Sequence, residues 1–353
     1  MKKSKNKDEN KDKMLPFVSV CTPTFNRRPF IPSIIKCFNN QDYPKHRLEW
    51  IIIDDGTDPI EDLVSCHPNV KYFKYDDKMT LGKKRNLMHE KSTGDILVYM
   101  DDDDYYPCKR VSHAVDMLIK NPTALCAGSS EIYIYYKHIQ QMYQFGPYNK
   151  SHATAGTFAF KRELLNQTKY NDDKSLAEEK EFLKDYSVPF VQLDPQHTIL
   201  VFSHIHNTFD KRKLLEDTYK NPFTKVSDKN IEYFMKEDDI KAFFMENIDE
   251  ELDKYQPGRA EMKPDVLQQM KEIEITRKKI IENRRLNGPP TPLSSQNNSA
   301  IQQNQQNQQN QHKRLFELQR TKIRELTETI KEKNNKIFEL ETRLKEQSTI
   351  VNE

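Results

Sequence analysis

Glycine is scarce in this chain, and its placement excludes two common nucleotide-binding signatures. Only eight of the 353 residues are glycine, and no GxGxxG run of the dinucleotide-binding type occurs. Gly82 and Lys83 are followed by Lys84 rather than Ser or Thr, and the earlier glycine of a P-loop is missing. Any phosphate-binding site in this chain must therefore be built in another way.

Cysteine is also sparse. The five cysteines are an odd number with no CxxC spacing, which favours reduced thiols over a disulfide framework. The same spacing gives no support to a zinc site.

The chain has neither a large excess of charge nor a long hydrophobic run. It carries 56 Lys plus Arg against 54 Asp plus Glu, so no overall field favours nucleic acid or an anionic membrane. No apolar run approaches the length of about 18 residues expected of a transmembrane helix. Residues 1–13, "MKKSKNKDENKDK", are too charged for a signal peptide. We expect a cytoplasmic protein with no transmembrane segment and no nucleic-acid partner.

Shifts in composition divide the chain into five segments. The expected order is a charged, disordered N-terminus (1–14), an α/β domain (15–215), a helical extension (216–287), a disordered Pro/Ser/Gln/Asn-rich linker (288–312) and a coiled coil (313–351). The linker has too few apolar residues to offset the entropy cost of ordering it.

The α/β prediction rests on strand-like runs that alternate with helical patterns. The runs "FVSVCT", "LEWIIID", "VKYFKY", "DILVYM", "ALCAG", "GTFAF" and "TILVFS" are predicted strands. Such alternation predicts a largely parallel sheet with both faces covered. In the extension, "IEYFMKEDDIKAFFMENI" and "EMKPDVLQQMKEIEITRKKIIENRR" are predicted helices, and the aromatics of the first favour docking on a core.

A heptad pattern predicts self-association at the C-terminal end. Apolar residues recur every seven positions at Phe316, Ile323, Ile330, Ile337, Leu344 and Val351. Intervening core positions are apolar at Leu326 and Leu340 but polar at Gln319, Lys333 and Gln347. The pattern favours a coiled-coil homo-oligomer, and a single solvated helix is the alternative.

Two predicted strands end in acidic residues. "DILVYM" runs into Asp101–Asp104, and "LEWIIID" ends at Asp54 and Asp55. Ligands of α/β sheets bind at the carboxyl ends of strands, and close carboxylates suit a hard divalent cation. An acidic solvated loop is the alternative. An EF-hand is excluded because Tyr106 and Ser112 stand where Gly and Glu would be needed.

The helical pattern "TLGKKRNLMHEK" begins with three cations, Lys83, Lys84 and Arg85. Cations at a helix N-terminus oppose the helix dipole, so a nearby anion would rationalise them. An exposed basic helix is the alternative.

Six motifs together resemble a known family. In order they are "VSVCTPTFNR", "IIIDDGTDP", "LGKKRN", "GDILVYMDDDDYYP", "AGTFAFKRELL" and "HIHNT", and they resemble the GT-A glycosyltransferases of glycosyltransferase family 2. The resemblance spans roughly residues 15–210 and implies a GT-A fold with a nucleotide-binding half and an acceptor-binding half. It also implies transfer of a sugar from a nucleotide-diphosphate sugar, with a UDP-sugar favoured. The acceptor class, whether glycan, protein or lipid, stays open.

The resemblance assigns the acidic loop to a metal and a nucleotide. "YMDDDDYYP" is similar to the DxD signature, with Asp101 towards the ribose and metal and Asp103 as direct ligand of Mn²⁺ or Mg²⁺. Asp102 is a nucleotide contact, and because Asp102 and Asp104 have the same spacing, the identity of the DxD pair stays open. His204 matches the family's C-terminal histidine, a metal or phosphate contact.

The resemblance also places five nucleotide contacts outside that loop. Pro23 and Phe25 lie beside the base, with Phe25 as its stacking face, and Asp54 or Asp55 accepts hydrogen bonds from base or ribose. Arg85 lies near the base or the diphosphate. These roles suit the chemistry, because a flat base favours an aromatic wall and a phosphate favours a guanidinium.

The acceptor half has an acidic pair, Glu178 and Glu179, at the start of a helical pattern. The family's pair ends in Asp, whereas this one ends in Glu, and the resemblance makes one of the two the catalytic base. Stabilisation of a helix start by acidic side chains is the alternative. The implied function is metal-dependent, inverting sugar transfer to an acceptor hydroxyl. The rivals are a catalytically degenerate domain that presents the coiled coil, and a nucleotidyltransferase.

Overall fold

The computed structural model describes residues 15–176, 178–207, 209–216 and 222–287. The predicted N-terminal segment (1–14), linker (288–312) and coiled coil (313–351) lie outside these residues. In the described part no helix is both long enough and apolar enough to cross a bilayer.

Two sheets form the framework. In the described residues the strands are β1 (Val18–Thr24), β2 (Leu48–Asp54), β3 (Val70–Lys74), β4 (Ile96–Tyr99), β5 (Cys126–Gly128), β6 (Ile132–Tyr136), β7 (Gln141–Phe145), β8 (Ala159–Lys161), β9 (Phe190–Gln192), β10 (Leu200–Ser203) and β11 (Thr224–Val226). The larger sheet has the order β3-β2-β1-β4-β8-β5-β9, and the smaller has the order β10-β6-β7-β11.

The α-helices of the described residues are α1 (Ile31–Asn39), α2 (Glu61–Val64), α3 (Leu81–Lys91), α4 (Arg110–Lys120), α5 (Glu179–Phe182), α6 (Ile231–Phe234), α7 (Asp238–Ala242), α8 (Ile248–Lys254) and α9 (Pro264–Asn287). A π-helical turn, Phe243–Asn247, joins α7 to α8. Short 3₁₀ turns fill several connections, including Ala155–Thr157 before β8.

The prediction of a mixed α/β fold with a largely parallel large sheet is confirmed. In that sheet only β8 is antiparallel to its neighbours, β4 and β5. The residues of β2 do not alternate between apolar and polar, because both faces of the strand are buried. Trp50 and Ile52 pack in one core cluster, and Ile51 and Ile53 pack in another.

Of the four strands in the smaller sheet, only β10 was predicted from the sequence. The turn between β6 and β7 has no Gly, Pro or Asn, since Gln140 adopts the left-handed conformation with φ 51°. β6 contains three tyrosines and β7 contains two glutamines, and without a recognisable turn residue the sequence does not reveal the hairpin.

The first predicted helix of the extension is wrong as a single element, because it is broken into α6, α7, the π turn and the start of α8. The break lies at Met235, which is extended and buried in the core. The expected docking by aromatics is present: Phe244 stacks on Phe202 with ring centroids 4.3 Å apart. Asn26 also donates a 2.8 Å hydrogen bond to the carbonyl oxygen of Pro257, so the extension reaches the end of β1.

Candidate active site

A cavity of about 390 Å³ is lined by residues at the ends of β1 and β4. Its walls also include residues 154–157 before β8, residues around the start of α5, and apolar side chains of β6 and β10. Since β1 and β4 are neighbouring parallel strands, the cavity lies at the carboxyl edge where open α/β sheets bind their ligands.

Two of the four loop aspartates lie against one buried arginine. Arg27 Nε lies 3.4 Å from Asp102 Oδ1, and its Nη2 lies 3.2 Å from Asp103 Oδ2. Arg27 Nη1 also donates to the carbonyl oxygen of His206 at 2.6 Å. Burial alone would raise the pKa of Asp103, but Arg27 and His204 hold it well below its usual range. Asp103 is therefore a fixed negative charge in the cavity.

The other two loop aspartates keep unsatisfied oxygens. Asp101 Oδ1 and Asp104 Oδ1 are buried and have no hydrogen-bond partner among the described residues. Desolvation raises the pKa of both, and the charge of Asp103 adds to the effect. Gly156 approaches the loop so closely that a Cβ there would lie 2.8 Å from Asp101 Oδ2. This loop concentrates more carboxylate than its cations neutralise.

The loop fits a divalent cation, although the protein alone does not complete a site. In the described part of the chain no three His, Cys, Asp or Glu side chains are grouped to hold a metal. Magnesium-type cations, however, are commonly held by one or two carboxylates together with substrate phosphates. The unsatisfied oxygens of Asp101 and Asp104 and the ionised Asp103 are hard donors of that kind.

His204 lies behind Asp103 and does not line the cavity. Its Nε2 is 3.3 Å from Asp103 Oδ2, and its ring centroid is 4.7 Å from that of Phe30. Burial lowers the pKa of His204 to about 3 although Asp103 opposes this, so the ring is neutral at physiological pH. In this arrangement His204 orients Asp103, and its role as a metal ligand stays a prediction.

The acidic pair at the end of β2 is bound within the protein. Asp54 accepts hydrogen bonds from the backbone N–H of Gly56 at 2.8 Å and from the Tyr72 hydroxyl at 2.6 Å. Asp55 accepts from Lys84 Nζ at 2.7 Å and from the Met79 N–H at 2.5 Å. Neither aspartate lines the cavity. Their nucleotide contacts stay predictions that would require these bonds to rearrange.

The basic start of α3 is matched mainly by the protein's own carboxylates. Lys84 pairs with Asp55, and Arg85 pairs with Glu178, whereas Lys83 is exposed. Asp55 and Glu178 thus provide the negative charge that was expected near these cations, without a bound ligand.

Pro23 and Phe25 both line the cavity, as the resemblance implies. Phe25 is largely buried, and the ammonium groups of Lys78 and Lys84 lie 5.2 Å and 5.7 Å from its ring centroid. These distances fit cation–π contacts, and the ring adds an aromatic surface to the wall.

Arg85 connects the two acidic parts of the site. Its Nε lies 3.1 Å from Glu178 Oε1, and its Nη2 lies 3.8 Å from Asp101 Oδ1. The guanidinium carbon is 4.4 Å from the ring centroid of Tyr99. Burial opposes the charge, but Asp101 and Glu178 raise the pKa of Arg85. Its Nη1 has no hydrogen-bond partner among the described residues, and Arg85 is one of the residues that line the cavity.

Glu178 and Glu179 both line the cavity but differ in their partners. Glu178 is buried and held by Arg85. Glu179 begins α5, and burial together with the charge of Glu178 raises its pKa to about 7. A carboxylate with that pKa exchanges protons readily near neutral pH, which suits a general base.

Sequence reasoning missed four cations of the cavity: Arg27, Lys78, Lys211 and Lys263. Arg27 stands two residues after Phe25 in a motif that was recognised, so its position could have drawn attention. Lys211 follows the "HIHNT" motif by a few residues. Lys263 lies in the extension, far from every motif, and no sequence signal marks it.

Comparison with known proteins identifies the domain. Residues 19–172 match the family described as glycosyl transferase family 2. The chain therefore contains a glycosyltransferase family 2 domain. The matched segment includes Phe25, Arg85 and the aspartate loop, and it ends before Glu178 and Glu179.

Curated relatives of the glycosyltransferase domain are similar over short stretches. Poly(ribitol-phosphate) beta-N-acetylglucosaminyltransferase TarS of Staphylococcus aureus is 30% identical over 92 residues, 25% of this chain and 16% of that protein. Glycosyltransferase AglE of Haloferax volcanii is 32% identical over 94 residues, 25% of this chain and 31% of AglE. The chain thus spans less than a third of the length of either relative.

Solved structures are more distant. The mannosyltransferase PcManGT from Pyrobaculum calidifontis, in complex with GDP-Man and Mn²⁺, is 19% identical, with a TM-score of 0.44 over 54% of this chain and 57% of that one. S. aureus TarS 1-349 in complex with UDP-GlcNAc is 18% identical, with a TM-score of 0.42 over 52% of this chain and 58% of that one.

Proposed function

We propose that this protein is a metal-dependent, inverting GT-A glycosyltransferase that transfers a sugar from a nucleotide-diphosphate sugar to an acceptor hydroxyl. The observation that carries the proposal is that Glu179, with its raised pKa, lines the same cavity as the aspartate loop. A proton acceptor and a hard-cation site in one cavity are the two groups that such a transfer needs.

On this proposal the donor lies between β1 and the aspartate loop. Phe25 provides a face for the base, Asp101 and Asp102 lie where ribose and phosphates would bind, and Arg85 Nη1 offers an unused donor. We favour a UDP-sugar. UDP-GlcNAc is the first to test, because the relative TarS is named as an N-acetylglucosaminyltransferase.

The chemical step is a direct displacement. Glu179 takes the proton of the acceptor hydroxyl, the hydroxyl oxygen bonds to the anomeric carbon, and the electron pair of the broken bond leaves with the diphosphate. Attack opposite the leaving group inverts the anomeric centre, and no covalent sugar–enzyme intermediate is needed. A divalent cation held at Asp101, Asp103 or Asp104 would stabilise the negative charge of the diphosphate. Arg85 holds Glu178, the neighbour of the base, in place.

A donor screen tests the proposal. The full chain is incubated with nucleotide sugars and Mn²⁺, with and without EDTA, and donor hydrolysis is followed by mass spectrometry. We expect slow, EDTA-sensitive hydrolysis of one donor. Absence of hydrolysis, together with absence of any thermal shift by nucleotide sugars and Mn²⁺, would favour the scaffold role. Release of pyrophosphate from a nucleoside triphosphate would favour a nucleotidyltransferase.

We also propose that residues 313–351 assemble the protein into a homo-oligomer, on the basis of their heptad pattern. Light scattering should give a mass of at least twice the protomer's for the full chain and a monomer for a chain that ends at Asn287. The same number of protomers per particle for the two chains would contradict this.

A further inference from the structure

Most cations of the cavity are paired with a carboxylate. Arg27 pairs with the aspartate loop, Lys84 with Asp55, and Lys78 Nζ lies 2.5 Å from Asp265 Oδ1. Arg85 is likewise held by Glu178. These charges are already neutralised by the protein, so a negatively charged ligand gains less from them.

Lys211 and Lys263 have no such pair among the described residues, and of these two only Lys263 is buried. It is 5% exposed, it lines the cavity, and no carboxylate oxygen of the described residues lies within ion-pair distance of its ammonium group. The one hydrogen bond of its Nζ within the described residues is long, 3.5 Å to the carbonyl oxygen of His206. The same carbonyl already accepts a 2.6 Å bond from Arg27. A buried ammonium group with so little compensation is costly unless something else binds to it.

The setting of Lys263 favours an anion. Burial and the proximity of Arg27 lower the pKa of Lys263 to about 6 although Asp103 and Asp102 oppose this, so an anion bound beside the amine would favour its ammonium form. Its carbonyl oxygen accepts the hydrogen bond from the N–H of Leu267, so Lys263 stands at the N-terminal end of α9, with Val266 of the first turn also lining the cavity. The positive end of the helix dipole adds to the attraction for an anion.

We infer that Lys263 binds the diphosphate of the nucleotide-sugar donor and stabilises it as it leaves. The inference rests on the proposed function. It adds a donor-binding residue that lies outside the matched family segment, residues 19–172, and it makes the extension a part of the site. A bound diphosphate favours the ammonium form of Lys263, and a buried cation stabilises the negative charge that develops on the departing diphosphate more strongly than an exposed one.

Binding measurements on the full chain test this. The Mn²⁺-dependent affinity for UDP is measured by calorimetry and that for uridine by ligand-detected NMR, with GDP and guanosine used if UDP does not bind. Lys263→Met should weaken diphosphate binding by about 10- to 100-fold, the usual loss for a hydrogen bond to a charged group, and leave nucleoside binding unchanged. Lys263→Arg, which keeps the charge, should retain most of the affinity.

Lys271→Met is the matched control, because Lys271 is an exposed lysine of the same helix. It should bind both probes as the wild type does. Equal affinities of Lys263→Met and wild type for the diphosphate would overturn the inference, as would parallel losses for diphosphate and nucleoside, which would indicate a structural role. If Lys263→Met does not fold, Lys263→Gln takes its place in the same comparison. A wild type that binds neither diphosphate would contradict the proposed function itself.

Discussion

Two runs of adjacent carboxylates line the same cavity, and they differ in how arginines pair with their members. In the run Asp101–Asp104, Arg27 lies against the two central members and the outer two keep unsatisfied oxygens. In the run Glu178–Glu179, Arg85 binds the first member and the second has a pKa of about 7. Like charges cannot share a small volume without partners, so each run holds some members in close ion pairs and leaves others less compensated.

The two runs differ in what their less compensated members can do. Asp101 and Asp104 flank the ionised Asp103, and the three together offer hard oxygens to a cation. Glu179 lies at the start of a four-residue helix, where burial and the charge of Glu178 raise its pKa, so it offers a proton acceptor instead. Adjacent carboxylates thus become a metal site or a base according to the number and placement of the arginines around them.

The largest expected effect concerns the base. Glu179→Gln keeps the shape of the side chain but removes the proton acceptor, so kcat should fall by about 10²–10⁴-fold while donor affinity is kept. Glu181→Gln is the control, because Glu181 is exposed on the same helix and should leave kcat unchanged. Steady-state kinetics with the donor found in the screen give the measurement. If Glu178→Gln loses more kcat than Glu179→Gln, the roles within the pair are reversed.

The second prediction concerns the aspartate run. Asp103→Asn removes the one loop carboxylate whose pKa is lowered, so the gain in donor affinity on adding Mn²⁺ should fall by about 10- to 100-fold. The melting temperature with no ligand should fall, because the buried ion pair with Arg27 is broken, so the affinities are compared at a temperature at which both proteins are folded. Calorimetric titrations of UDP with and without Mn²⁺ measure the gain. An undiminished gain would remove Asp103 from the site and leave Asp101 and Asp104 as the ligands.

The sequence was sufficient for the half of the site that strand ends define. Polar residues directly after β1 and β4 had to meet at one edge of a parallel sheet, and Phe25 and the aspartate loop do line one cavity. The pattern did not tell which acidic strand end faces the cavity. Asp54 and Asp55 do not, because they form hydrogen bonds within the protein. That choice depends on Tyr72, Met79 and other partners that are distant in sequence.

The remainder of the site depends on tertiary packing that periodicity cannot express. Lys263 reaches the cavity because residues 231–252 dock on the core and return the chain to the end of β1, where Asn26 bonds to Pro257. His204 was found from its motif, but its place behind Asp103 follows from packing against Phe30. Neither arrangement leaves a local pattern in the sequence.

The smallest expected effect is a shift in pH dependence. Because burial and Glu178 raise the pKa of Glu179 to about 7, the base is protonated below that pH, and kcat should fall as the pH drops through about 7. Glu178→Gln removes the nearby negative charge and leaves Arg85 with less compensation. Both changes favour the ionised form of Glu179, so the acid limb should move to lower pH, by less than roughly one unit. The variant should therefore keep a larger fraction of its maximal kcat at pH 6 than the wild type does. A melting curve at each pH separates this shift from the loss of stability expected when a buried ion pair is broken. An acid limb that moves to higher pH, or does not move, would show that the charge of Glu178 does not act on the base.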